Sequence, residues 1–136
     1  MKKRNCWIDV KKPLEIHNDD RGIIADLFYN ENINHVAIIN SKPNVIRGNH
    51  YHKKTTQHIL ITEGSLDYWY KKLNSKEKSQ FINLRKGDIV STPPNEIHAL
   101  VIKNHFNQFI VFSSGLRGGK DYESDTYRVK SIINEK

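Results

Sequence analysis

A single cysteine, Cys6, and a single methionine, Met1, are all the sulfur the 136-residue chain contains. An internal disulfide is therefore excluded, and the expectation is a reducing, cytoplasmic compartment. No stretch approaches the roughly 18 consecutive apolar residues of a membrane helix. The start, MKKRNCWIDVKKPLEI, is positively charged, but Asp9, Lys11 and Lys12 interrupt any apolar signal-peptide core. Neither export nor membrane anchoring is expected. Helical periodicity is nearly absent, as are internal repeats, low-complexity tracts and linkers, so the chain reads as one domain over 1–136. Helix-turn-helix, zinc-finger and RNA-binding signatures are missing too, and nucleic acid is not an expected partner.

What is present is a globular composition, 37% hydrophobic and 27% charged. Lysine and arginine outnumber aspartate and glutamate 22 to 15, a net charge of +7. The basic residues are scattered through turn-like segments rather than gathered in one stripe. That distribution fits a solvated surface or a phosphate-bearing ligand better than a polyanion.

Short alternating or apolar runs recur about every ten residues, bounded by turn formers. They predict strands over Gly22–Tyr29, His35–Asn40, Val45–Tyr51, Gln57–Glu63, Ser65–Lys71, Ser79–Leu84, Asp88–Thr92, His98–Ile102 and Gln108–Ser113. So many short strands indicate an all-β fold, a small antiparallel barrel or jelly roll that curls to remove its open edges. Gly64 reads as the turn of a hairpin joining two of these strands. The polar tail, DYESDTYRVKSIINEK, is expected to pack on the barrel or on a partner subunit.

The stretch VIRGNHYHKKTTQHILITEG concentrates chemistry. Side chains two apart on a strand share a face, so His50 and His52 point together, and Gln57 shares a face with Ile59 and Ile61. Further on, His98 opens a strand whose alternate residues, Leu100 and Ile102, are apolar. If these faces line the interior, three imidazoles and an amide oxygen converge. Arg47 stands three residues before His50 and would face the other way in a regular strand, but a bulge at Gly48 would turn both inward.

The spacing H-x-H-x4-Q-x6-G followed by G-x5-P-x-N-x2-H, here His50, His52, Gln57, Gly64, Gly87, Pro93, Asn95 and His98, resembles the two motifs of the cupin family. The resemblance implies that His50, His52, Gln57 and His98 hold one divalent metal, with Gln57 standing where the family usually has glutamate. A neutral amide weakens hard-cation binding, and three imidazoles suit Zn²⁺, Ni²⁺ or Fe²⁺ better than Mg²⁺ or Ca²⁺. The flank SKPNVIRGNHYHK is similar to the cupin domain of a bifunctional capsular-polysaccharide enzyme acting on nucleotide-linked deoxysugars. It also resembles nucleotide-sugar 3,4-ketoisomerases and, more distantly, dehydrorhamnose-type 3,5-epimerases. Asp125, Thr126 and Tyr127 are similar to a closing stretch of the capsular domain. The likeness spans about residues 20–130.

These resemblances imply an epimerase or isomerase of a nucleotide-linked 4-keto deoxysugar in surface-polysaccharide biosynthesis. Its chemistry requires a base beside the keto carbon, an acid, and a group that holds developing negative charge. His50 is the expected base, Arg47 the clamp on the diphosphate, Lys53 a residue at the ligand entrance and Tyr127 a proton donor. Asp121, Tyr122 and Glu123 are further acid candidates. Tyr51 is expected to pack on the outer face, and Trp69 or its neighbours Tyr68 and Tyr70 to bury at a homodimer contact. Two other readings use the same residues: a non-catalytic small-molecule-binding cupin with a structural metal, and a metal-dependent dioxygenase.

Overall fold

The computed structural model describes residues 1–115 and 124–133. Among them there is no helix, and twelve strands alternate with short turns. One five-stranded antiparallel sheet contains β1 (Lys2–Asn5), β4 (His35–Ser41), β6 (Gln57–Glu63), β9 (Asp88–Thr92) and β11 (Asn107–Ser113), in the order β1-β9-β6-β11-β4. A second contains β5 (Ile46–Tyr51), β7 (Ser65–Lys72), β8 (Gln80–Arg85), β10 (Glu96–Val101) and β12 (Tyr127–Arg128), in the order β12-β5-β10-β7-β8. A separate ribbon pairs β2 (Ile16–Asp19) with β3 (Gly22–Ala25). The all-β, double-stranded jelly roll read from the sequence is the observed fold.

The strands β4, β5, β6 and β7 alternate between the two sheets, and this corrects the hairpin expected at Gly64. β6 and β7 do not pair; the chain crosses between sheets at that glycine. Gly64 has φ +71°, and a Cβ there would stand 2.4 Å from the Phe106 carbonyl oxygen, so the corner admits no side chain. The strand expected over Gly22–Tyr29 ends at Ala25, because Leu27 and Phe28 leave the ribbon to cover the outer face of the first sheet, beside Leu60 and Phe112. β10 starts two residues earlier than expected, at Glu96. The strands β1, β2 and β12 had no readable signal: all three are short and mostly polar.

Inward-facing residues of both sheets form the main core, including Ile59, Ile61, Leu66, Leu84, Val90 and Phe109. The largest buried side chain is Tyr68, which stacks parallel to His98 at 6.1 Å between centroids and hydrogen-bonds Thr92 Oγ1. Burial pushes its phenol well above the ordinary tyrosine range. Trp69 points to the opposite face and stacks on Phe81 at 4.6 Å. The tail packs on the chain itself: Ile132 is buried in a cluster with Ile97 and Ala99, and the Val129 amide donates to the Asn49 carbonyl.

Candidate functional site

The bulge expected at Gly48 is present, and it organises the site. β5 and β10 pair as His98↔His50 and then Ala99↔Gly48, leaving Asn49 extra on β5. Gly48 and Asn49 both have positive φ, +90° and +57°. A Cβ on Gly48 would lie 2.7 Å from the His98 carbonyl oxygen, so the two strands approach this closely only because residue 48 is glycine. Asn49, a residue type that tolerates the left-handed region, is fixed there by the Ile132 amide, which donates to its Oδ1 at 3.0 Å. The extra residue resets the alternation. Arg47 and His50, three apart, both line a cavity of about 400 Å³ between the sheets.

His98 enters the same cavity from β10, and His52 follows immediately after β5. The potential ligand nitrogens of His50, His52 and His98 all lie within 4.8 Å of one another, with ring centroids 4.7–5.4 Å apart. His52 and His98 are buried, whereas His50 is half-buried. Two of the three rings have a defined tautomer. His52 Nδ1 donates to the Asp125 carbonyl at 2.8 Å, and His98 Nδ1 to the Glu96 carbonyl at 3.1 Å. Carbonyl oxygens only accept, so each Nδ1 carries a proton, and in the neutral imidazole the lone pair is on Nε2. That is the tautomer in which a histidine ligates a metal while a carbonyl orients it.

Gln57 is buried on β6 of the opposite sheet and lines the same cavity as His50 and His98. The donor set of three imidazoles, with an amide nearby, fits a transition ion. Arg47 lines the cavity while its guanidinium donates to Ser41 Oγ at 2.8 Å and to the Asn40 carbonyl at 3.1 Å.

The tail completes the wall. β12 pairs with β5 as Tyr127↔Tyr51 and Arg128↔His50, and this register sends Thr126 and Arg128 into the cavity and Tyr127 to the outside. Tyr127 therefore does not stand where the proton donor was expected. Its ring stacks on outward-facing Tyr51 at 5.3 Å, and Lys53 Nζ lies 4.3 Å above it. Lys53 is engaged on that outer face and does not line the cavity, which displaces it from the expected entrance role. Asp121, Tyr122 and Glu123 lie outside the described residues. Arg128 was missed in the sequence because a two-residue strand gives no periodicity; the only signal was its place one residue after the Asp-Thr-Tyr stretch.

Asp125 ties tail to site. Its carboxylate accepts from the amides of Lys53 at 2.9 Å and Lys54 at 2.8 Å, and from Thr55 Oγ1 at 2.9 Å. Partial burial raises its pKa, but these donors and nearby His52 outweigh that and hold the carboxyl below the usual range. The other histidines serve elsewhere. His105 Nε2 lies within 3.2 Å of Ser65, His17 pairs with Asp19, and His58 contacts Ser91 at 2.7 Å on the outer face, where burial lowers its pKa. Among the described residues no helix is long and apolar enough to cross a membrane.

Solved structures share this architecture. The capsular polysaccharide assembling protein CapF from Staphylococcus aureus matches 90% of this chain at 21% identity and a TM-score of 0.64, over 34% of its own length. The sugar 3,4-ketoisomerase QdtA from Thermoanaerobacterium thermosaccharolyticum, solved with TDP, matches 86% at 19% identity and a TM-score of 0.68, over 85% of its length. The dTDP-4-dehydrorhamnose 3,5-epimerase from Elizabethkingia anophelis matches 89% at 16% identity and a TM-score of 0.70, over 79% of its length. The chain thus spans about a third of CapF but most of the other two. No curated protein sequence matches it. The model of the polysaccharide biosynthesis C-terminal domain matches residues 17–114, and the chain belongs to that family.

Proposed function

We propose that the cavity binds a nucleotide-linked 4-keto deoxysugar and moves a proton at a carbon beside the keto group, as an epimerase or isomerase of surface-polysaccharide precursors. The observation that carries this reading is the meeting, in one cavity, of the His50 and His98 imidazoles with two guanidiniums, Arg47 and Arg128, the His52 ring standing against the two imidazoles. Guanidinium forks match diphosphate oxygens, and imidazoles exchange protons near neutrality. QdtA, with a similar fold, has been solved with TDP and with TDP-4-keto-6-deoxyglucose.

In this reading Arg47, pre-positioned by Ser41, and Arg128, carried by β12, clamp the diphosphate at the mouth. The apolar floor of Ile59, Phe109 and Val111 excludes water beneath the sugar. His52 and His98 present Nε2 lone pairs; with His50 and the Gln57 amide they are the residues that would hold Zn²⁺, Ni²⁺ or Fe²⁺. When bound, such an ion supplies Lewis-acid polarisation of the keto oxygen. His50, the least buried of the three, is the base of the centre when no ion engages it: its lone pair takes the proton while the C–H electrons pass into the enolate.

Solvent-deuterium incorporation into TDP-4-keto-6-deoxyglucose, followed by NMR with and without chelator, tests this. Exchange abolished by chelator and restored by Zn²⁺ places the proton transfer at an ion-loaded centre. Exchange that survives chelator but is lost in His50→Ala assigns the base to His50. Binding without exchange in either state overturns the enzyme reading in favour of a non-catalytic sugar-nucleotide binder. Gln57 gives that second reading its footing, because a neutral amide is the weakest member of the donor set.

A further inference from the structure

One tail residue contacts both the His52 ring and the loop that leaves it. The Asp125 carbonyl accepts the His52 Nδ1 proton, and the Asp125 carboxylate gathers the backbone amides of Lys53 and Lys54 and the Thr55 hydroxyl, the three residues that directly follow His52. The loop leaving His52 and the segment orienting its ring are thereby fixed to each other through the Asp125 side chain, beside the outer-face contact of Lys53 Nζ with the Tyr127 ring. The other contacts flank this clamp without replacing it. The Asn95 amide donates to the His52 carbonyl at 2.7 Å, which fixes the backbone of His52 but not its ring. Downstream, β12 and the Val129 amide hold residues 127–129. His98 is built differently: its Nδ1 partner, the Glu96 carbonyl, is two residues away on the same strand and needs no tail.

We infer that Asp125 is a positioning residue for His52, whose carboxylate, by locking residues 53–55 to the tail, keeps the Asp125 carbonyl on His52 Nδ1 and so holds the Nε2 lone pair toward the histidine cluster. The same segment carries Thr126 and Arg128 into the cavity, so the residue that sets the His52 donor also anchors the ligand-facing part of the tail. This inference rests on the proposed reading of the cluster as one centre, but its test does not need catalysis. Second partners of metal-binding histidines typically change metal affinity 10–100-fold when removed.

The tautomers of His52 and His98 are read from ¹⁵N-edited long-range NMR spectra of the ion-free protein, and Zn²⁺ affinity from competition with a chromophoric chelator. In wild type both rings carry the proton on Nδ1. In Asp125→Ala, His52 is expected to become a mixture of tautomers while His98 keeps its own, and Zn²⁺ affinity falls 10–100-fold. Thr55→Val removes one donor and leaves the carboxylate in place; it gives an intermediate shift and covers the case of an alanine variant that fails to fold. An unchanged His52 tautomer in either folded variant overturns the inference, as does an equal change at His98, which would mark general loosening. If the protein turns over no sugar but the tautomer behaves as expected, the proposed reaction fails and the positioning role stands.

Discussion

The two walls of the cavity come from opposite sheets and are built differently. On one, β11 pairs with β4 over seven uninterrupted positions, from Asn107↔Ser41 to Ser113↔His35, and with β6 in one register from Phe109↔Ile61 to Ser113↔Gln57, after a shift between Gln108 and Phe109. Regular alternation there turns Ile39, Ile59, Phe109 and Val111 inward, an apolar surface. On the other, β5 is broken by Asn49 and capped by the tail, and it brings Arg47, His50 and Arg128 to the cavity. Regular pleating places one residue in two on each face and yields a uniform floor. Concentrating cationic and ligating groups required an irregular strand, two left-handed residues and a borrowed segment. Gln57, at the end of the regular wall, is the polar residue that this wall brings to the cavity.

Breaking the irregular wall carries the largest expected effect. Gly48→Ala drives a Cβ into the His98 carbonyl at a residue with φ +90°, so β5 and β10 must separate. The expected cost is about 1–3 kcal/mol in denaturant unfolding, together with loss of deuterium exchange. The matching change on the regular wall, Val111→Ala, should cost stability of similar size through an apolar void but leave residual exchange.

Removing the guanidiniums sharpens the contrast without touching packing. Arg47→Ala and Arg128→Ala should each raise KM for the sugar nucleotide about 10–100-fold, the worth of a hydrogen bond to a charged group, with the unfolding midpoint nearly unchanged. Gln57→Glu restores a charge to the regular wall and should tighten Zn²⁺ binding about tenfold in the competition assay, a gain on the order of one charge-assisted contact. Tyr127→Phe, on the outer surface of the irregular wall, should leave turnover within about twofold, because the hydroxyl faces away from the cavity; a drop beyond about tenfold would return Tyr127 to the chemistry.

The smallest effect concerns the outer face of the regular sheet. Burial lowers the His58 pKa in the folded protein below its ordinary 6.5. The unfolded chain then binds more protons between the two values, so stability is full above about pH 6.5 and declines as pH falls through that window. A His58→Gln variant should show a flatter dependence of unfolding midpoint on pH between 7 and 5.

How much of this was legible follows from the same division. Period-two alternation with inward apolar residues marked β4, β6, β9 and β11 closely, since a regular ladder writes itself into the sequence. His50, His52 and His98 were readable from spacing, and Gly48 betrayed the bulge. The borrowed segment was not: β12 is two residues long, and its order depends on partners far back in the chain, Asn49, Tyr51 and the loop at Lys53–Thr55. That is why Arg128 escaped notice and Tyr127 was assigned to the wrong side. The crossover at Gly64 looked like a hairpin because a tight glycine corner has one local signature whether it returns within a sheet or passes to the next.

The central claim is that three imidazoles, gathered by an irregular strand and its neighbour, act as a single centre. Optical titration with Co²⁺ tests it directly. The account predicts one ion per chain with histidine-type ligand-field absorption, and at least tenfold weaker uptake in each of His50→Ala, His52→Ala and His98→Ala. Uptake that is undiminished in any one of these variants would contradict it.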